Sequence, residues 1–233
     1  MKTSMLALSV VVLVAFCGPT AAHAQGLTGG QVDAIFAGCQ SAAGQVTSVV
    51  RQPSGSHVKQ WCAVVDREGK LLLIKATDTG GTPQNPAGSD AWRGSIEIAI
   101  AKAYTAVAFS STQEALTSRT VGLLTRTDGP GSTASTDIGT DAGVAPLWGL
   151  GNTNPFRSLN GAPGDDSLGK QHRGIVTFAG GIPVYQCGSG TLLGAVGSSG
   201  DGVDQDEQVT SKAIQAASFC CQPNASTSAP GCP

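Results

Sequence analysis

The sequence predicts an α+β fold, a five-stranded antiparallel sheet flanked by helices. Three observations carry the prediction. Apolar residues recur at helical spacing in residues 31–46 and 95–109. Short apolar runs divided by Gly-containing turns supply five strands. The order is helix, hairpin, helix, long loop, three strands, helix, which implies an antiparallel sheet with helices packed on it.

The chain opens with Lys2, an apolar run from Met5 to Phe16, and Ala22-His23-Ala24 before Gln25. That order is a secretory signal with an A-x-A cleavage site, so residues 1–24 are expected to be removed after Ala24. The run is shorter than the about 20 apolar residues a membrane span needs. Lipidation of Cys17 is disfavoured, because Phe16 stands where a small residue is required. No other stretch reads as a transmembrane segment, and the mature protein is expected to be periplasmic or secreted.

Residues 25–219 read as one domain. Val32, Ile35, Phe36, Cys39, Ala42, Ala43 and Val46 mark a first helix, with Thr28 as its cap. The runs His57–Asp66 and Leu71–Ala76 flank the turn Arg67-Glu68-Gly69-Lys70 and form a hairpin. Asp78 to Asp90 is a Gly/Pro/Thr-rich loop. Ser95 to Phe109 is a second helix, and its many alanines suit close approach to a sheet. Ser111-Thr-Gln-Glu114 is a capping box that opens a short helix towards Ser118.

An inserted loop spans residues 120–170. Unstructured loops beyond about 12–15 residues are uncommon in compact domains and usually functional or disordered. Val144–Trp148 and Asn154–Phe156 are apolar clusters that would pack this one down as a cover. Gly174–Phe178, Pro183–Cys187 and Thr191–Val196 then form a three-stranded meander. Its turns are Gly180-Gly181 and Gly188-Ser189-Gly190. A helix from Val203 to Phe219 follows, with Asp204, Asp206 and Glu207 in its first turn, where negative charge suits the helix dipole. Residues 220–233 are a Cys- and Pro-rich tail.

Composition excludes several functions. Lys+Arg number 14 against 16 Asp+Glu, so there is no positive excess for neutralising nucleic-acid phosphates. A hydrophobic fraction of 40% is too high for charge-driven disorder. The 32 glycines follow no strict period, which excludes a collagen-like chain.

Seven cysteines are present, and loss of Cys17 with the signal leaves Cys39, Cys62, Cys187, Cys220, Cys221 and Cys232. An even number in an oxidising compartment suggests disulfides. Six cysteines allow 15 pairings, and the sequence does not choose among them. Adjacent Cys220 and Cys221 do not easily bridge each other. One is expected to close the tail to Cys232 and the other to reach the body. Cys39 and Cys62 read equally as buried free thiols.

Two blocks carry a family resemblance. The first is Ser95–Phe109, preceded by the Val64–Lys70 hairpin. The second is Phe178-Ala-Gly-Gly-Ile-Pro-Val184 with Leu193–Glu207. Together they resemble the GlcG/HbpS family of haem-binding proteins, also called the PduO C-terminal-like domain. The resemblance covers nearly all of the mature chain except residues 120–170 and the tail. It implies a profilin-like α/β/α sandwich, a tendency to form homo-oligomers, and binding of haem or another small planar ligand.

A haem iron needs an axial donor such as imidazole, thiolate, thioether or phenolate. His172 directly precedes the strand leading to the Gly-Gly-x-Pro turn and is the candidate iron ligand. His57 reads as a solvent-exposed residue. Tyr104 and Tyr185 are candidate phenolates. Met1 and Met5 lie in the signal, and no Cys-x-x-Cys-His occurs, so thioether ligation and covalent attachment are excluded. Lys102 matches a family lysine and reads either as a pocket ammonium or as a solvated helix residue. Gly180 and Gly181 either admit a flat ligand or only make a positive-φ turn, and Pro183 completes that motif. The main expectation is an exported protein that binds haem non-covalently, for haem capture or redox and iron sensing. The alternative is a small-molecule enzyme of a catabolic pathway using Lys102, Tyr104 or His172 as acid or base.

Overall fold

The computed structural model describes residues 26–124, 175–226 and 232. The expected signal, most of the expected inserted loop, and His172 therefore lie outside the described residues. Helix α1 (Gly29–Ala43) begins where Thr28 and Gln31 cap each other. The Gln31 N–H donates to the Thr28 hydroxyl, and the Thr28 N–H donates to the Gln31 side chain at 2.8 Å. Strands β1 (Trp61–Asp66) and β2 (Leu71–Ala76) form the expected hairpin. Helices α2 (Ser95–Ala108) and α3 (Ser118–Leu124) follow, then β3 (Gly181–Gln186), β4 (Thr191–Ser199) and α4 (Val203–Ala216).

The sheet is antiparallel throughout, in the order β2-β1-β4-β3. Its two faces divide the core. Cys62, Val64, Ile182, Val184 and Val196 meet α1 and α4 on one face. Trp61, Ala63, Val65 and Ala195 meet α2 on the other. The alternation along β1 is the period-two pattern of a strand buried on both sides. The molecule is thus an α+β protein with helices on both faces of one sheet.

Two expectations are corrected. The described sheet has four strands, not five, because residues 175–180 do not join it. Helix side chains satisfy the backbone there instead. The Val176 N–H donates to the Thr105 hydroxyl at 2.9 Å, and the Ser118 hydroxyl donates to the Phe178 carbonyl at 2.8 Å. The outer edge of β3 is already taken by the tail, where Tyr185 and Cys220 exchange two backbone hydrogen bonds. The helix expected from Ser111 is absent, and α3 starts only at Ser118. The Tyr185 hydroxyl donates to the carbonyls of Ser111 and Glu114, taking acceptors that a helix would use.

All six cysteines are paired. Cys39–Cys62 ties α1 to β1, Cys187–Cys220 ties the end of β3 to the tail, and Cys221–Cys232 closes the tail. The free-thiol reading of Cys39 and Cys62 is thereby overturned. Their Cα atoms stand 6.5 Å apart because α1 lies directly on β1.

Candidate functional site

The alanines of α2 let its backbone come very close to the start of β3. A side chain at Gly181 would place its Cβ 2.1 Å from the Lys102 carbonyl oxygen, so that position must be glycine. This approach puts Lys102 at the end of the sheet, and its side chain runs past Gly180 towards α4. There the ammonium donates to Asp206 at 2.6 Å and to the Ser198 carbonyl at 3.1 Å. The Lys102 side chain is 0% exposed and that of Asp206 is 3% exposed.

Asp206 collects the remaining donors. Its other oxygen accepts from the buried Gln60 amide at 2.8 Å and from the Asp201 N–H at 3.1 Å. Thr210, one helical turn on, donates to the Gly180 carbonyl at 2.8 Å. Gly180 has φ +116°, and a Cβ there would fall 2.9 Å from both the Lys102 ammonium and Asp206. The two glycines of the motif therefore make room for the protein's own Lys102 and Asp206.

Burial dominates the electrostatics. It lowers the Lys102 pKa and raises that of Asp206, although each partner pulls the other back. Beside them, Arg119 of α3 donates to Glu207 at 2.7 Å and also pairs with Asp204. Burial raises the Glu207 pKa against that attraction. The pair therefore sits at the junction of α2, α3, α4 and the sheet; residues 120–124, expected to open the inserted loop, belong to α3.

An aromatic group at this junction is open to solvent. Phe178 is 41% exposed, and the Lys102 ammonium lies 4.9 Å from its ring centroid. The backbone around it is pinned by Ser118 at Phe178 and by Ser198 and Thr210 at Gly180.

The other candidates are placed elsewhere. Tyr104 packs its ring on Gly69 in the β1–β2 turn, at the opposite end of β1 from Gln60 and Lys102. Lys102 and Tyr104 thus do not share a pocket, and Lys102 is not the solvated helix residue of the alternative reading. Pro183 is buried in edge strand β3, paired with Ala195, where the missing N–H is tolerated. Tyr185 is fully buried. Burial pushes its phenol up to about 12, and its hydroxyl is spent on two carbonyls, an environment that opposes a phenolate ligand. His57 is exposed and lines an open hollow of about 490 Å³ with Gln40, Lys59 and Asp78.

A family model described as "Haem degrading protein HbpS-like" matches residues 39–215. The chain belongs to the HbpS-like family. Two solved structures share the fold. One is the Klebsiella pneumoniae protein ORFY, of family model DUF336, 23% identical with a TM-score of 0.51. That match covers 92% of this chain and 97% of the other. The second is PduOC in complex with heme, 22% identical with a TM-score of 0.52, covering 84% of this chain and 99% of the other. No match is found among curated proteins.

Within this HbpS-like chain, sequence reasoning missed Asp206, Gln60, Arg119 and Phe178 as members of the junction. A signal existed for Asp206. It stands three, four and seven residues before Val209, Thr210 and Ala213, all buried on the inner face of α4. Phe178 carried no such signal, because its exposure depends on contacts made by distant residues.

Proposed function

We propose that this is an exported haem-binding protein that holds haem non-covalently. One observation carries the reading: the chain belongs to a haem-degrading family, and its fold is that of a domain crystallised with heme. Three disulfides in the mature region support an oxidising, extracytoplasmic location, in keeping with residues 1–24 as a signal. Self-association into a homo-oligomer belongs to the same reading and is measured by sedimentation.

The donor set narrows the iron ligand. Residues 26–233 contain no methionine. Every cysteine in that stretch is bridged, and the Tyr185 hydroxyl is occupied. Imidazole is the donor best suited to the iron, and His172, three residues before Ile175 and six before Phe178, is our candidate. Lys102, Gly180 and Gly181 converge beneath Phe178 and belong to the same candidate site, with Pro183 two residues further along β3. The acid–base alternative is less well supported, since Lys102 is sealed beneath Phe178 and Tyr104 is remote from it.

Hemin titration followed by absorbance tests the proposal. A saturable Soret band is expected, with its position shifted or its intensity lost in His172→Ala. No saturable change at micromolar protein overturns the reading. The family's description names haem degradation. Bleaching of the complex with added reductant and oxygen, faster than that of free hemin, would add turnover to binding.

A further inference from the structure

We propose that Phe178 is the stacking platform for a planar conjugated ligand, and that the buried Lys102–Asp206 pair positions and polarises its ring. The platform rests on the haem-binding reading and gives a role to a residue that the motif glycines do not supply. Three features of the structure support it. The ring is held from beneath by an ammonium 4.9 Å from its centroid, while 41% of the residue stays open to solvent. Its backbone is anchored on both sides, at Phe178 by Ser118 and at Gly180 by Ser198 and Thr210. It also lies only three residues before β3, whose pairing with β4 fixes where the chain enters the sheet.

The physical chemistry follows from the ring quadrupole. An aromatic face is negative, and a cation under one face draws π density towards itself. The outer face becomes less negative and better suited to an electron-rich ring system such as a porphyrin. Asp206 keeps the ammonium charged and in place, because an unpaired buried lysine would lose its proton or leave the site. The geometry is preorganised, so little side-chain freedom is lost when a ligand stacks.

The test is titration of the full mature chain with hemin and, in parallel, with metal-free protoporphyrin IX, since stacking needs no iron. Phe178→Leu keeps apolar bulk and removes the π face. It is expected to weaken binding of both probes by roughly tenfold, with the hemin Soret maximum unmoved. Phe178→Trp is expected to restore affinity. The double variant Lys102→Met/Asp206→Asn removes both charges together and leaves none buried alone. Its affinity is expected to fall by about threefold, with near-ultraviolet circular dichroism reporting that it is folded. Wild-type affinity in Phe178→Leu overturns the platform and leaves the haem reading standing. Failure of the wild type to bind either probe overturns both.

Discussion

Asp201 and Asp206 stand five residues apart at the start of α4 and live in opposite environments. Asp206 faces inward and is stripped of water, with Lys102 as its charged partner. Burial lifts its pKa despite that partner. Asp201 is also partly buried, which pushes its pKa up, but five hydrogen bonds, one of them from the Gly202 N–H, outweigh this and leave it below an ordinary aspartate. Those on the neighbouring loop come from the Ser48 hydroxyl and the N–H groups of Val49, Val50 and Arg51. One carboxylate is thus a charge the fold must accommodate, and the other is a clamp the fold uses. The difference lies in the donors: a desolvated ion pair versus a set of backbone N–H groups aimed at one carboxylate.

The largest break in this contrast is Asp206→Ala. It strands Lys102 in a buried site without its partner and should cost about 3–5 kcal/mol, read as a fall in the urea midpoint. The double variant Lys102→Met/Asp206→Asn should recover most of that loss. If Asp206→Ala melts like the wild type, the pair is not the buried centre described above.

Asp201→Ala should cost less, about 1–3 kcal/mol, since it frees five donors at a partly open site. Its pH signature separates the two residues. A carboxyl whose folded pKa is depressed adds stability above its unfolded value of about 3.9 and loses it as pH falls through the folded value. The wild type should therefore lose stability below about pH 4, and Asp201→Asn should flatten that loss. Asp206, with a raised pKa, contributes in the opposite sense, because acid removes the cost of its buried charge. An unchanged acid limb in Asp201→Asn would count against the clamp.

The smallest effect belongs to the surface. Lys59 and Asp90 pair across two loops, the lysine half-buried and the aspartate open to water. Lys59→Ala should change the melting free energy by no more than about 0.5 kcal/mol, and added salt should erase even that. A larger loss would show that exposure is a poor guide to the value of ion pairs here.

Much of the architecture was legible because its signals are local. Thr28 and Gln31 announce a capped helix, and period-three apolar spacing carries α1 and α2. The hairpin around Gly69 and the turn at Gly188–Gly190 appear where the residues indicate. The misreadings have a shared cause. Ser111–Glu114 has the residues of a capping box, but Tyr185, over seventy residues away, claims its carbonyls. Residues 175–178 have the composition of a strand, but Thr105 and Ser118 take their backbone groups. In both cases a distant side chain outcompetes the local preference.

The candidate site divides in the same way. Lys102, Gly180 and Gly181 were picked out by motif, and all three converge at the junction. Tyr104 was picked out beside Lys102, but the two residues point to opposite ends of β1.

By itself the sequence determined α1, the first hairpin, α2, the last two strands and α4 in their order, the Thr28 cap, the turns, the apolar faces, and the two motif blocks that point to the family. Those properties depend on residues a few positions apart, whose spacing survives in one dimension. Only the tertiary structure decided the three cysteine pairings, the four-stranded sheet, and the partners of Lys102, Asp206 and Phe178. These depend on groups as far apart in the chain as Gln60 and Asp206, 146 residues. Their choice is made when the faces of the sheet are buried and each polar group there must find a donor or acceptor within reach.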